Sequence, residues 1–291
     1  MYSRIAQFLS ASWLIHHNEI TTHLPLLVSF LNGNKISLSD FGDDKKANTP
    51  YILGMQPNAV PSYSGLDDPN IPENSVAIIP IQGVLYDAKT LGLINNIRMA
   101  GANPNISAIL FMVNSPGGMV FMTDIAAQTI KDCQLPTVAF VMNMAASAAM
   151  WLISACDYIV ASSPLDSFGS IGTRTSFMDI NGLLKEKLGI TVYDIYATKS
   201  THKDHEIRTL LEGDNTALTE RLDFANEMFH AAIRQNLGIA EDSEVFAGDM
   251  YRAQRAIDLG LAHKIASFDD ALQMAHDRGV AYRMKTLFNN Y

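Results

Sequence analysis

The chain has 291 residues, 48% of them hydrophobic and 18% charged, with 18 glycines and 11 prolines. This excludes a disordered or collagen-like chain and leaves enough length for one sizeable core or two modest ones. Lysine and arginine number 21 against 30 acidic residues, and the formal charge of -9 argues against a dedicated nucleic-acid binder.

In chain order, residues 2–17 fit a short amphipathic helix. Residues 20–38 hold a further element, in which Leu24 to Phe30 suits a helix or a strand. The apolar stretches here are broken by Arg4, Ser10, Ser12 and His16 and fall short of the roughly 20 residues a membrane span needs. A cytoplasmic protein without a stable membrane span is expected. Residues 39–74 carry Pro50, Pro57, Pro61, Pro69 and Pro72 among polar turn formers and read as loop or linker. We therefore expect an N-terminal extension and Pro-rich linker over 1–74 and a folded domain over 75–291.

From residue 75 the pattern is regular. Strands are predicted over 76–79 and 81–85, with a break at Pro80, and a helix over 89–100. ISAILFMVNS is an apolar strand ending at Asn114, and SPGG turns the chain. MVFMTDIAAQTIKDC is helical, LPTVAFVMNM a strand, AASAAMWLISAC a helix and DYIVAS a strand. PLDSFGSIGT is turn-rich. A short helix near 178–188, a strand near 190–196, and helices over 214–236 and 248–259 follow, and LAHKIAS and FDDALQMAHDRGVAY close the fold. Apolar strands alternating with helices at short spacing give an α/β class with mostly parallel, buried strands. Cys133 and Cys156 are too far apart for a short-spaced zinc pair and imply no disulfide framework, so they read as buried small apolar residues.

Two junctions can carry chemistry. The first is Asn114-Ser115-Pro116-Gly117-Gly118, between a strand and a helix. Adjacent glycines admit backbone conformations closed to other residues and can present N–H groups to an anion or a developing oxyanion. Its structural alternative is a tight turn. The dinucleotide and phosphate-loop glycine patterns are absent, and neither a cofactor nor a metal site is indicated. The second junction is Met144-Ala145-Ala146-Ser147-Ala148-Ala149-Met150. Small neighbours allow a substrate backbone to approach Ser147, and the first turn of a helix favours negative charge there. Close helix packing explains the same residues. Met142, Met144, Met150 and Trp151 fit either apolar substrate pockets or core.

A serine nucleophile needs a base. The eight histidines, His16, His17, His23, His202, His205, His230, His263 and His276, lie in no decisive context. The common hydrolase elbow and the zinc-protease helix motif are missing. A lysine serves instead when a dry or cationic pocket lowers its pKa from about 10.4. Lys199 and Lys203 in TKSTHKD are the candidates, although either in isolation reads as a surface residue.

The segments VAIIPIQGVLY, FMVNSPGGMV, AASAAMWLISACDYIVASS, FGSIGT and HKD, in this order, resemble peptidase family S49, and VFAGDMYRAQRAIDLGLAHKIASFDDAL resembles the family's closing segment. The family comprises signal peptide peptidase A (protease IV) and related tailed-phage prohead proteases, and the resemblance covers about residues 75–275. It implies a ClpP/crotonase-like spiral of stacked β-β-α units and a Ser–Lys dyad acting through an acyl-enzyme on polypeptide substrates. Carried onto this sequence, Ser147 matches the nucleophile and Lys203, followed by Asp204, the lysine, with Lys199 as its rival. Gly118 and the N–H of Ala148 match the oxyanion hole. Gly117, Gly169, Ser170 and Gly172 would shape the pocket. Many members have Ser-Gly-Gly where this chain has Ser147-Ala148-Ala149, and alanine still supplies an N–H. The resemblance implies prohead processing in a phage or prophage setting, or removal of signal-peptide and membrane-protein fragments in a bacterial one. It also implies a ring-like homo-oligomer, for which Leu218, Leu222, Ala225, Met228 and Phe229 offer a face if they are not core. Two other readings share the fold: acyl-CoA hydratases and isomerases, which need carboxylates beside the oxyanion donors, and a non-catalytic scaffold.

Overall fold

In this computed structural model, residues 13–15, 49–53, 65–177, 185, 186, 189, 191 and 193–289 are described. The chain divides into two compact units. The larger comprises Leu14–Gly172 and Phe229–Tyr291, the smaller Met1–Trp13 and Thr173–Met228.

The larger unit is α/β, as the alternation of apolar runs and helical segments predicts. The described strands of the chain are β1 (Trp13–Ile15), β2 (Tyr51–Leu53), β3 (Ser75–Gln82), β4 (Ile106–Ser115), β5 (Gly117–Met119), β6 (Thr137–Ala146), β7 (Tyr158–Ala161), β8 (Ser167–Gly169), β9 (Met250–Arg252) and β10 (Lys264–Ile265). The main sheet runs β10-β7-β6-β4-β3-β2, with β8 on the far end of β6 and β9 on β8. Neighbours from β10 to β3 are parallel, whereas β2 and β9 pair antiparallel.

The parallel strands bury both faces, which is why they read as unbroken apolar runs. Successive side chains alternate. Ala77, Ile79, Ile81, Ile109, Phe111, Val113, Ala139 and Val141 join one core cluster. Val76, Ile78, Ala108, Leu110, Val138, Phe140 and Val160 join the other. The first face is covered by α1 (Asp87–Ala102), α2 (Thr123–Lys131) and α3 (Ala148–Ser154). The second is covered by α7 (Phe268–Asn289), which packs across β4, β6 and β3 and adds Ala271 and Ala275. Arg283 of α7 reaches Asn74 Oδ1 at 3.1 Å, the Ile106 carbonyl at 3.1 Å and the Pro104 carbonyl. A 3-10 turn (Glu244–Ala247) and α6 (Ala253–Asp258) complete this unit.

Several predicted boundaries change. Pro80 does not break its strand. The Gly83 N–H donates to Asn114 of β4, so by alternation the nitrogen of Pro80 faces the β2 edge. There β2 pairs only with Val76–Ile78, and a missing donor leaves no rung unmade. Gly117–Met119, predicted at a helix start, is a short strand, and α2 begins at Thr123. The predicted helix 145–156 starts only at Ala148, because β6 continues to Ala146. The turn-rich segment contains β8, and the predicted helix 248–259 contains β9 before α6. Residues 51–53, within the predicted linker, form the edge strand β2. Trp13–Ile15, within the predicted N-terminal helix, is a strand; the remainder of 2–17, all of 20–38 and most of 178–188 lie outside the described residues. Residues 193–196 are not strand.

In the smaller unit, α4 (His205–Leu211) precedes α5 (Thr216–Leu237), whose residues up to Met228 belong here. Arg221 pairs with Glu206 at 2.6 Å. The Thr173 N–H donates to Asn226 Oδ1 at 3.1 Å and its hydroxyl to the Leu222 carbonyl at 2.9 Å. Of the apolar α5 residues, Leu218 and Phe229 are buried, whereas Met228 is 41% exposed.

Candidate active site

Ser147 sits where the central strand β6 turns into α3. Its backbone is at φ 55 and ψ -120. L-residues avoid this region, and holding one there costs about 1–3 kcal/mol. The surroundings impose it. The Ser147 N–H donates to the Gly169 carbonyl at 2.8 Å, and the Ser147 carbonyl accepts the Trp151 N–H at 3.0 Å as α3 begins. The Ser147 hydroxyl lies 3.5 Å from the Gly172 carbonyl, and the residue is buried. Ala145, Ala146, Ala148 and Ala149 are fully buried, so close packing is one function of the small residues.

β8 supplies the neighbouring wall. Ala146 is in register with Gly169. Gly169 has φ 123, and a Cβ there would lie 2.3 Å from the Asp249 carbonyl oxygen. Ser170, at φ 51, donates its N–H to that same oxygen at 2.7 Å. The Gly-Ser-Ile-Gly segment is therefore held against both Ser147 and the approach to β9.

The Pro-Gly-Gly turn approaches from β4, since Ser115 is in register with Ala145. Gly117 has φ 98, and a Cβ on Gly118 would fall 1.8 Å from the Leu85 carbonyl oxygen, so neither position accepts a side chain. The Leu85 N–H donates to Gly117 O and the Met119 N–H to Leu85 O, both at 2.8 Å. This parallel bridge turns the N–H of Gly118 to the opposite edge of β5, the edge that also pairs with β1. The Ser115 hydroxyl braces the turn, donating to Gly83 O at 2.7 Å and accepting the Gly117 N–H at 3.2 Å.

The structure thus brings Ser147, Ala148, Gly117, Gly118, Gly169, Ser170 and Gly172 into one unit. Lys203 and Lys199 belong to the other. Both are exposed in turns before α4, and the Lys203 N–H donates to Ser200 O at 3.1 Å. The described histidines of the larger unit are engaged elsewhere. His230 packs on Phe246, His263 stacks on Tyr158 at 4.3 Å, and His276 neighbours Asp277. Met150 and Trp151 are core, with the Trp151 ring stacked on Phe229 at 4.9 Å, whereas Met142 and Met144 are half-buried. Burial pushes the thiols of Cys156 and Cys133 upward, which suits packing rather than reactivity. Among the described residues no group of three His, Cys, Asp or Glu side chains is arranged to hold a metal, and no helix is long and apolar enough to cross a membrane.

Sequence reasoning missed Asn143 and Asp166. Asn143, at φ 76, lies in a bulge of β6, and Asp166 is a buried carboxylate beside it. The signal for the first was one asparagine inside an apolar strand; for the second there was none.

The sequence model of peptidase family S49 matches residues 129–281, just over half of the chain, including Ser147 and Lys203. The chain belongs to this family. Protease 4 of Haemophilus influenzae is 25% identical over 80% of this chain and 39% of its own length. A putative protease of Methanocaldococcus jannaschii is 31% identical over 58% of this chain and 55% of its own. Capsid assembly protease C of Escherichia phage lambda is 27% identical over 70% of this chain and 49% of its own. The alignments therefore span only about half or less of these relatives. Among solved structures, a ClpP1 variant from Listeria monocytogenes matches 67% of this chain with a TM-score of 0.43 and 14% identity.

Proposed function

We propose that this S49 chain is a serine endopeptidase in which Ser147 is the nucleophile and Lys203 the general base. The observation that carries the reading is the strained strand-to-helix elbow at Ser147, imposed by Gly169 and α3 on a residue that does not prefer it. Lys203, of the same or a neighbouring chain, takes the hydroxyl proton as Ser147 Oγ attacks the scissile carbonyl. The N–H groups of Gly118 and Ala148 stabilise the oxyanion, each such donor being worth about 2.7–4 kcal/mol in comparable sites. The lysine returns its proton to the leaving amine, and water then releases the acyl group from Ser147 as a carboxylic acid. An extended substrate pairs by its backbone with an exposed strand or loop edge beside the site. Ser147 is buried, so binding has to open a path to it.

For the biological substrate we favour phage or prophage capsid proteins, processed in the prohead or the host cytoplasm by a ring-like homo-oligomer. The lambda capsid assembly protease aligns with 70% of the chain, which supports this. The alternative, degradation of signal-peptide and membrane-protein fragments, draws on the match to Protease 4. Incubating wild type, Ser147→Ala, Lys203→Ala and Lys199→Ala with unfolded casein and an apolar fluorogenic peptide tests the chemistry. Turnover is expected to vanish in the first two variants and persist in the third. Turnover surviving Ser147→Ala overturns the assignment, and loss in Lys199→Ala alone moves the base four positions.

A further inference from the structure

The main sheet has a gap at the point where it aims Ser147. β7 is in register with Val138–Val141 of β6, and β8 with Met144–Ala146. Met142 and Asn143 between them have no strand partner on that side. On the other side, β4 has only Asn114 opposite residues 142–144, because the register shifts between Val113 and Ser115. β6 therefore bulges immediately before its nucleophile, with Asn143 held at φ 76.

Asp166 fills the gap. It is 3% exposed and sits just before β8. One carboxylate oxygen accepts the Asn143 N–H at 2.7 Å, in place of the strand carbonyl that is missing. The other accepts the Ser162 hydroxyl at 2.9 Å and the Ser163 N–H at 2.8 Å, which anchors the carboxylate to the end of β7. The Asn143 side chain, at the same bulge, donates from Nδ2 to Asn114 Oδ1 at 3.1 Å. Asn114 directly precedes Ser115, which braces the Pro-Gly-Gly turn. A bulge that stores strain beside a reactive residue is a common way to re-aim a side chain.

We propose that Asp166 is a positioning residue: by accepting the Asn143 backbone N–H it clamps the β6 bulge in its positive-φ shape and so fixes the Ser147 elbow that follows. The inference rests on the peptidase reading above. Asp166 does not touch the reacting atoms. Its replacement alters how often Ser147 and the oxyanion donors are correctly aligned, not how substrate is held.

The test measures kcat, KM and melting temperature on the full chain for wild type, Ser147→Ala, Asp166→Asn and the double variant Asp166→Asn/Asn143→Gly. Asparagine keeps the shape of Asp166 but turns an N–H toward one of its three donors, so a clamp bond is lost. The expected result for Asp166→Asn is a fall in kcat of about 10- to 100-fold with KM within about threefold. Glycine at 143 adopts a positive φ without a clamp, so the double variant is expected to regain at least about threefold of the lost kcat. An unchanged kcat in a folded Asp166→Asn, or a double variant no faster than the single one, overturns the clamp. So does a uniform rise in KM, which would make Asp166 part of substrate binding. Wild-type turnover that is absent, or that survives Ser147→Ala, is a failure of the peptidase reading itself and removes the proposed role of Asp166 with it.

Discussion

At φ 55 and ψ -120, Ser147 holds a backbone conformation that glycine adopts freely and other residues adopt against steric resistance. The strain is measurable. Ser147→Gly removes the hydroxyl and the Cβ, whereas Ser147→Ala removes only the hydroxyl and keeps the strained backbone. The glycine variant is expected to be more stable than the alanine variant by on the order of 1 kcal/mol, with turnover at background in both. Equal stabilities in a thermal melt would mean that the elbow costs nothing. The same logic reverses at Gly118, where Gly118→Ala drives a methyl group into the Leu85 carbonyl. A loss of roughly 1–3 kcal/mol and of most turnover is expected there. Ser147 and Gly118 were legible as candidates because both stand in runs of small residues directly after apolar strands. The elbow itself was not, since Ala-Ala-Ser-Ala-Ala is as good a helix as it is a strand end. Asp166 was invisible for a similar reason. In Ser-Ser-Pro-Leu-Asp an aspartate is ordinary turn chemistry. Its role emerges only when β7 and β8 are seen to leave Asn143 without a partner.

Among the elements, the central strands were legible because burial on both faces makes them long apolar runs, although Pro80 suggested a break in β3 and β6 extends two residues past its apolar run. The three-residue strands β5, β8 and β9 were not, because runs this short carry too little periodicity to register and two of them contain glycines. The closing helix α7 was seen only as a terminal segment. Its close approach to β4 at Ser107 requires a glycine at 279. A Cβ at Gly279 would lie 2.6 Å from Ser107 Oγ, 2.7 Å from its carbonyl oxygen and 2.9 Å from its carbonyl carbon. Two of those atoms are backbone of β4 and cannot rotate away. Gly92 in α1 is the counterpart, where a methyl group would meet nothing within 4 Å. Alanine is favoured over glycine inside a helix by about 0.5–1 kcal/mol. Gly92→Ala is therefore expected to raise stability by that amount. Gly279→Ala makes the same intrinsic gain but loses more to overlap, roughly 1–3 kcal/mol, so its net effect is destabilising. Chemical denaturation of both variants separates the two cases, and a stabilised Gly279→Ala would show that α7 is not seated on β4 as described.

For the molecule as a whole, acid sensitivity is expected to begin at one histidine. His263 joins the segment before β10 to β7: its Nδ1 accepts the Ile159 N–H at 3.0 Å, and the His263 N–H donates back to the Ile159 carbonyl at 2.9 Å. Its ring stacks on Tyr158, and the Arg278 guanidinium of α7 also lies against Tyr158, 4.9 Å from the ring centre. Partial burial holds the His263 pKa below its ordinary value, and the positive charge of Arg278 acts in the same direction. Protonating Nδ1 would also remove the acceptor for Ile159. A histidine whose folded pKa is depressed leaves stability intact above its unfolded pKa of about 6.5, because both states are then neutral. As the pH falls below that value the unfolded chain takes up a proton that the folded chain resists, and stability drops until the folded pKa is passed. Asp214 and Asp270 act lower on the scale. Their carboxylates are held down by hydrogen bonds from Thr216 and Ser267, so their contributions are present above about pH 3.9 and fade as the pH falls through the folded values. The melting temperature of the wild type should therefore decline in two stages, the first beginning near pH 6.5. His263→Asn offers Oδ1 to the Ile159 N–H without a titrating group, and it is expected to flatten the first stage while leaving the second. If both stages survive in His263→Asn, the link between β7 and β10 is not what sets the acid limit of this fold.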